Sequence, residues 1–184
     1  PGLRAKAEGL RARIEGTRDS SDKGTGYESL LSQLKGELDG PLARLESGSV
    51  EATNTAVQNV RANIEGIEAQ FLAAQSETGV IGVGKQKEGG GRTADVDVVA
   101  DNGARWVEVK NTEPFGLESN DWTGNARKQG LNAQADKLLQ VARDPQNAVN
   151  GKPPEVVIRF TKGVSPEVAA ALRAKGIHVI GTER

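Results

Sequence analysis

Acidic residues spaced two apart, on either side of an Asn-Gly turn, are the part of this chain best suited to chemistry. Residues 94–100 read Ala-Asp-Val-Asp-Val-Val-Ala, Asp101, Asn102 and Gly103 follow, and residues 105–110 read Arg-Trp-Val-Glu-Val-Lys. Asn-Gly between alternating β-formers is the strongest short-range hairpin signal. With Asn102 and Gly103 at the centre of the turn, Asp97 falls opposite Glu108 and Asp95 opposite Lys110. Side chains alternate along a strand. Asp95, Asp97, Trp106, Glu108 and Lys110 are therefore expected on one face, and Val96, Val98, Val107 and Val109 on the other. Opposed carboxylates repel unless a cation lies between them. An all-oxygen donor set suits a hard ion, so Asp97 and Glu108 are candidate ligands for Mg²⁺ or Mn²⁺. Beside them, Lys110 would orient or deprotonate an attacking water, or stabilise charge building on a phosphate, while the metal polarises that phosphate and lowers the water's pKa. Asp95 is either a second metal ligand or the salt-bridge partner of Lys110, with the partner role favoured. The competing reading of the whole face is a solvated ladder of cross-strand ion pairs.

The elements that must hold this hairpin follow from periodicity. Residues 1 to about 77 read as helical. Leu3, Ala7, Leu10 and Ile14 form one stripe; Tyr27, Leu31, Leu34 and Leu38 form a second; Val57, Val60, Ile64, Ile67 and Phe71 form a third. Gly40-Pro41 breaks or kinks the second helix before Leu42 and Leu45, and Ser47 or Ser49 can cap the third. An antiparallel bundle or hairpin is implied, serving as scaffold or as a coiled-coil arm. Residues 79–84 look like a short strand, 85–93 like a polar loop, 111–121 like a second loop, and 122–143 like a helix with Leu131, Ala135, Leu138 and Ala142 inward. Residues 156–160 read as a buried strand. Ser165-Pro166 starts a short helix that ends at Gly176, and residues 177–180 form a last strand. Strand, helix and strand with short connections indicate a parallel crossover unit.

Composition sets outer limits. The chain has 184 residues, enough for one core with an extension. It carries 24 basic and 25 acidic residues, so no global field recruits nucleic acid. With no cysteine, disulfides and thiolate ligation are excluded. No apolar run reaches a membrane span and no signal-peptide pattern opens the sequence. Pro1 in place of an initiator Met suggests a trimmed chain or an excised domain. The compartment is undetermined, with a soluble intracellular protein favoured over a secreted one. Gly79, Gly84 and Lys85 nearly spell a phosphate-binding loop. Gln86 stands where Ser or Thr must hold magnesium, however, and no helix follows, which rejects nucleotide binding there. Lys85, Lys87 and Arg92 could instead flank a nucleic-acid track, and Arg127 and Lys128 could touch phosphates.

An acid on one strand followed by acid-x-Lys on the next, here Asp97 and Glu108-Val109-Lys110, resembles the signature of the PD-(D/E)XK nuclease superfamily. The order helix, three strands, helix, strand, helix, strand is similar to that superfamily's core. The resemblance implies an α/β fold, a mixed sheet flanked by helices. Here it comprises a helical N-terminal extension (1–48) and a restriction-endonuclease-like domain (49–184). It also implies a metal-ligating backbone carbonyl at Val109, a polar residue of the following helix over the site at Gln134, and cleavage leaving a 5′-phosphate. Some members carry an extra acid on the helix before the first strand, where Glu65 and Glu68 stand. The segments 40–54, 96–103 with Trp106-Val107, and 164–180 further resemble the N-terminal region of an uncharacterised eukaryotic family with a helical start and a nuclease-like module. In that family Asp97 and Trp106 have counterparts and the acid-x-Lys step varies; likeness to an N-terminal region carries the expectation that the natural protein continues past Arg184.

The expected function is a divalent-metal-dependent nuclease acting on DNA in preference to RNA. The alternatives are an inactive nuclease-like module that binds a protein or nucleic-acid partner, with the helical arm as the protein-binding part, and a toxin-type nuclease domain. Trp106 could stack a base, although a core tryptophan under the following helix is favoured, with Trp122 packing near it. His178, the only histidine, reads as a structural residue inside the last strand.

Overall fold

Apolar residues at three- and four-residue spacing produce the N-terminal helices α1 (Leu3–Ser20), α2 (Gly24–Glu37) and α3 (Asn54–Ser76). The computed structural model describes residues 2–20, 24–37, 54–125 and 128–184. Ala7, Leu10 and Ile14 of α1, Tyr27, Leu30 and Leu34 of α2, and Val60, Ile64, Ile67 and Phe71 of α3 are all buried. Leu30 takes the central place that spacing alone gives to Leu31, which packs only partly. Leu38, Gly40, Pro41, Leu42, Leu45, Ser47, Ser49 and the boundary at 48 lie outside the described residues.

The sheet contains β1 (Gly82–Gly89), β2 (Arg92–Ala100), β3 (Arg105–Lys110), β6 (Glu155–Phe160) and β7 (His178–Ile180), hydrogen-bonded in that order. The first three are antiparallel, and β3–β6 and β6–β7 are parallel. Between them lie α4 (Asn120–Thr123), a small hairpin of β4 (Gly124–Asn125) and β5 (Lys128–Gln129), α5 (Leu131–Ala142) and α6 (Pro166–Ala174). The result is the mixed α/β sheet flanked by helices that the sequence implies. Ser165 caps α6, accepting from the Val168 N–H, and the last strand–helix–strand unit is parallel as expected. Among the described residues, no helix is long and apolar enough to cross a membrane.

Two apolar layers sandwich the sheet. Ala94, Val96, Val99, Trp106, Val156, Ile158 and Phe160 pack with α5 and α6. Val83, Val98, Ala100, Val107 and Val157 pack with α1, α2 and α3. The N-terminal helices thus share a core with the sheet and cover one face of it.

Two segments differ from the reading by periodicity. Sequence alone ends the first strand at 84, yet β1 runs on through Lys85, Gln86, Lys87 and Glu88 to a turn at Gly90 and Gly91, whose φ values are +56° and +72°. Charged residues are tolerated there because β1 is an edge strand. The helix expected over 122–143 begins only at Leu131. Gly124 has φ +76°, and a Cβ on Gly130 would fall 2.3 Å from the Trp122 carbonyl oxygen. The chain folds tightly on itself there before α5 starts.

Candidate active site

The β2–β3 turn has the conformation that Asn-Gly favours. Asn102 and Gly103 have φ +53° and +101°, and the Ala104 N–H donates to the Asp101 carbonyl at 3.0 Å. The register is the one expected, with Ala100 opposite Arg105, Val99 opposite Trp106 and Val98 opposite Val107. At Val98 the β2–β3 ladder ends, and the next position on β2 is Asp97. Its carboxylate replaces the ladder, with Oδ2 accepting from the Val109 N–H at 2.7 Å.

Face alternation breaks at the same point. Strict alternation puts Val96 beside Val98, but Val96 lies in the opposite layer with Trp106. On β1 the matching position is Gly84, bracketed by the pairs Val83–Val98 and Lys85–Val96. Its φ of +60° is left-handed backbone that glycine adopts without steric cost. Both strands keep step on either side, so no residue is inserted and the rotation is taken up locally. Asp97 therefore does not share the Trp106 face. It sits at the parting of β2 and β3, where Gln70 of α3 reaches it, Nε2 donating to Oδ1 at 2.7 Å.

On β3 the alternation holds. Val107 joins the α1–α3 layer, and Val109 packs partly against it. Lys110 reaches α5 on the other side, its Nζ donating to Glu108 Oε1 at 2.7 Å and to Gln134 Oε1 at 2.8 Å. Gln134 in turn donates from Nε2 to the Gln129 carbonyl at 2.9 Å. The structure thus brings Asp97, Glu108, Val109, Lys110 and Gln134 together. Asp95 lines the same cavity as Glu108 and Lys110, but its hydrogen bond comes from Gln86 Nε2 at 3.1 Å. The Asp95–Lys110 pair expected from register is replaced by Glu108–Lys110.

Burial pushes the Asp97 carboxyl up to about 7, and the neighbouring charge of Glu108 adds to the rise; the Val109 amide, Lys110 and Gln70 oppose it. The protonated form is favoured there because the carboxyl is shut off from water, with the Glu108 charge acting the same way. A divalent cation satisfies the same electrostatic demand. In a strand the N–H and C=O of one residue point to the same side. Val109 sends its N–H toward Asp97, so its carbonyl faces the same gap. Asp97, Glu108 and the Val109 carbonyl are the oxygen groups here that could hold a hard cation such as Mg²⁺ together with waters. Among the described residues, no cluster of three or more His, Cys, Asp or Glu side chains could hold a metal.

Two cavities meet at Lys110. One, of about 330 Å³, is lined by Asp95, Glu108, Lys110, Gln129, Gln134 and Lys137. The other, of about 350 Å³, is lined by Lys110, Phe115, Asn120, Asp121, Gln129, Leu131 and Gln134. Lys137 and Gln70 are members that sequence reasoning passed over. Lys137 lies three residues from Gln134 and so on the same helical face, a signal that was present. Gln70 lies three residues after Ile67, at the edge of a buried stripe, and nothing in its type marks it.

Other expected residues lie elsewhere. Glu65 and Glu68 clamp α1 to α3, meeting Lys6 at 3.3 Å and Arg13 at 2.8 Å respectively. Lys85 and Lys87 lie on β1 opposite Val96 and Ala94, and Arg92 opens β2 opposite Gly89. The Lys87 ammonium stands 5.7 Å from the centroid of the Trp106 ring. Arg92 is about 16 Å along the strand from Asp97 at the usual rise per residue. Arg127 and the Lys128 side chain lie outside what the structure describes. Trp106 and Trp122 are core residues of the α5–α6 layer. His178 is half-exposed on the edge strand rather than inside it, its Nδ1 2.8 Å from Glu155 Oε1, because β7 is the last strand of the sheet.

Residues 4–183 match a protein family described as a family of unknown function (DUF5614), and the chain belongs to that family. No solved structure matches the chain.

Proposed function

We propose that this protein is a divalent-metal-dependent nuclease. The observation that carries the reading is the convergence of Asp97, Glu108, the Val109 peptide and Lys110 at the point where β2 and β3 part. Asp97 and Glu108, with the Val109 carbonyl, would hold Mg²⁺ or Mn²⁺. When bound, that ion polarises a phosphate and lowers the pKa of a nearby water. Lys110 has three N–H donors. Two of them go to Glu108 and Gln134, which orients the amine and leaves its third N–H to reach a phosphate oxygen. The attacking water gives up a proton to solvent as its oxygen bonds to phosphorus, the bond to the 3′ oxygen breaks, and that oxygen leaves with a proton from solvent, giving a 5′-phosphate. DNA is the favoured substrate over RNA.

The test is Mn²⁺ titration calorimetry on wild type and the Asp97→Ala/Glu108→Ala variant, followed by incubation with DNA and RNA in Mg²⁺ or Mn²⁺. Binding in wild type alone is expected, with strand scission lost in Glu108→Ala and in Lys110→Ala. Wild-type protein that cuts neither nucleic acid under any of these conditions sinks the reading.

A second reading is an inactive nuclease-like module that binds a partner through its helices. The near-equality of 24 basic and 25 acidic residues favours it, because a nuclease gains affinity from a basic surface. It requires partner binding that is indifferent to Glu108→Ala.

A further inference from the structure

We propose that the cavity lined by Lys110, Phe115, Asn120, Asp121, Gln129 and Leu131 is a subsite for one unpaired nucleobase of the strand being cut, which makes single-stranded or locally unpaired nucleic acid the substrate class. This inference rests on the nuclease reading of the adjoining site. Lys110 and Gln134 line both cavities, so a phosphate held at Lys110 has its neighbouring nucleotide at the mouth of the second one. Phe115 and Leu131 give that cavity apolar walls, while Asn120, Asp121 and Gln129 bring amide and carboxylate groups to it. Apolar walls with one aromatic side chain, beside a few polar groups, suit a planar ring with a hydrogen-bonding edge. The Asp121 carboxylate disfavours a second phosphate there and selects a neutral group that can donate. In a duplex, a base has its faces stacked and its edge paired, so only a base already free of both can enter.

The subsite is built in advance. Ser165 Oγ of the α6 cap donates to the Phe115 carbonyl at 2.7 Å, and the Leu117 N–H donates to Glu167 at 3.3 Å, pinning the loop to α6. The near wall is fixed by the run Lys110, Gln134, Gln129. At Gly130 a side chain would strike the Trp122 and Gly124 backbone at 2.3 Å, so α4 and the start of α5 are locked together around the cavity. Contact through a base also fits a chain with no excess of cations, since stacking supplies affinity without phosphate contacts.

The test measures binding in EDTA, where no cleavage occurs, by fluorescence anisotropy with full-length protein. The probes are a labelled single-stranded DNA 12-mer, its RNA counterpart, the blunt DNA duplex, and the single strand carrying abasic sites throughout. Variants are Phe115→Leu, which keeps apolar packing, and Asn120→Ala on the exposed rim; an unchanged cooperative thermal transition serves as the fold control. The expected result is single-strand binding about tenfold tighter than duplex binding, the size of one base–aromatic stack. Abasic sites should remove it, and both variants should weaken it several-fold with the thermal transition unchanged. Equal or tighter duplex binding, or single-strand binding unaffected by abasic sites or by either variant, overturns the subsite. If base-dependent single-strand binding persists while wild type neither binds Mn²⁺ nor cuts, the nuclease reading fails and the cavity stands only as a base-binding site, not as a subsite for a strand being cut.

Discussion

Gln70 donates from Nε2 to Asp97 Oδ1 at 2.7 Å, and its own Oε1 is buried with no hydrogen-bond partner among the described residues. A helix amide is thereby aimed at the carboxylate where the sheet parts, with one acceptor left over. That acceptor matters for the protonation of Asp97. A protonated carboxyl can donate to an amide oxygen, which turning the Gln70 amide would present.

Asp97→Asn is expected to stabilise the metal-free protein near pH 8. The Asp97 pKa of about 7 lies above the ordinary 3.8. Between those values the folded state holds a proton that the unfolded chain has lost. This group's contribution to stability is therefore fully present below about pH 4 and is lost as pH rises toward 7. The substituted amide cannot ionise. Its oxygen can take the Val109 N–H, and its NH₂ can use the Gln70 oxygen. The gap in melting temperature between variant and wild type should widen from pH 4 to 7 and then level off. A constant gap over that range removes the basis for the raised pKa. Saturating Mn²⁺ should restore wild type and leave the variant unmoved.

Metal affinity should rise with pH through the same range. A ligand must shed its proton to bind, so below pH 7 the Mn²⁺ association constant is expected to gain about tenfold per unit, flattening above 7, for one displaced proton. Calorimetry in two buffers of different ionisation enthalpy measures the proton count directly. A count near zero at pH 6 would mean that Asp97 is already ionised or is no ligand.

Glu108→Gln isolates the coupling between the two carboxylates. The charge of Glu108 is one of the causes holding the Asp97 pKa up, second to burial, so its removal should lower that pKa, with the nearby Lys110 acting in the same direction. Carboxyl carbon NMR titration of wild type and variant reads this. No change would place the two groups too far apart to share an ion.

Much of this arrangement was legible in the sequence, and the boundary is physical. Asn102-Gly103 fixed both turn type and register, because positive φ at consecutive positions is costly for other residues. Glu108 and Lys110 followed from alternation, and Gln134 from the family resemblance, at the edge of a helical stripe. Val96 and Asp97 did not, since the face change between Val96 and Val98 comes from the φ of Gly84, a residue that periodicity treats as a neutral spacer. The start of α5 was misplaced for a similar reason. Gly124 and Gly130 interrupt a stripe whose apolar pattern gives no sign of the break. Glu65 and Glu68 were the visible acids of α3, yet their partners Lys6 and Arg13 come from α1, a tertiary fact absent from local pattern.

Gly84→Ala tests that account of the face change. Alanine at φ +60° carries a left-handed cost of roughly 1–2 kcal/mol. Its Cβ would also sit 3.0 Å from Ser29 Oγ and 3.2 Å from Gln33 Nε2 of α2, so α2 must yield or β1 must rotate back. Urea denaturation should show a loss of that size or more, and Mn²⁺ affinity should fall even though residue 84 ligates nothing. A variant as stable as wild type with full Mn²⁺ binding would show that Asp97 is aimed by something other than the turn in β1.

Deletion of residues 1–37 asks whether the first two helices are an appendage. Their stripes close the layer containing Val83, Val98, Val107 and Val157, all of them fully buried. Burial of one aliphatic side chain is worth about 1.5–3 kcal/mol, and several would be uncovered at once, more than the whole stability of a typical domain allows. The truncated chain should lose its cooperative thermal transition and bind a dye for exposed apolar surface, and it should lose Mn²⁺ binding with them because Gly84 no longer has α2 above it. A truncated protein that melts cooperatively and still binds Mn²⁺ would make the helices a true extension and return the site wholly to the sheet, α3 and α5.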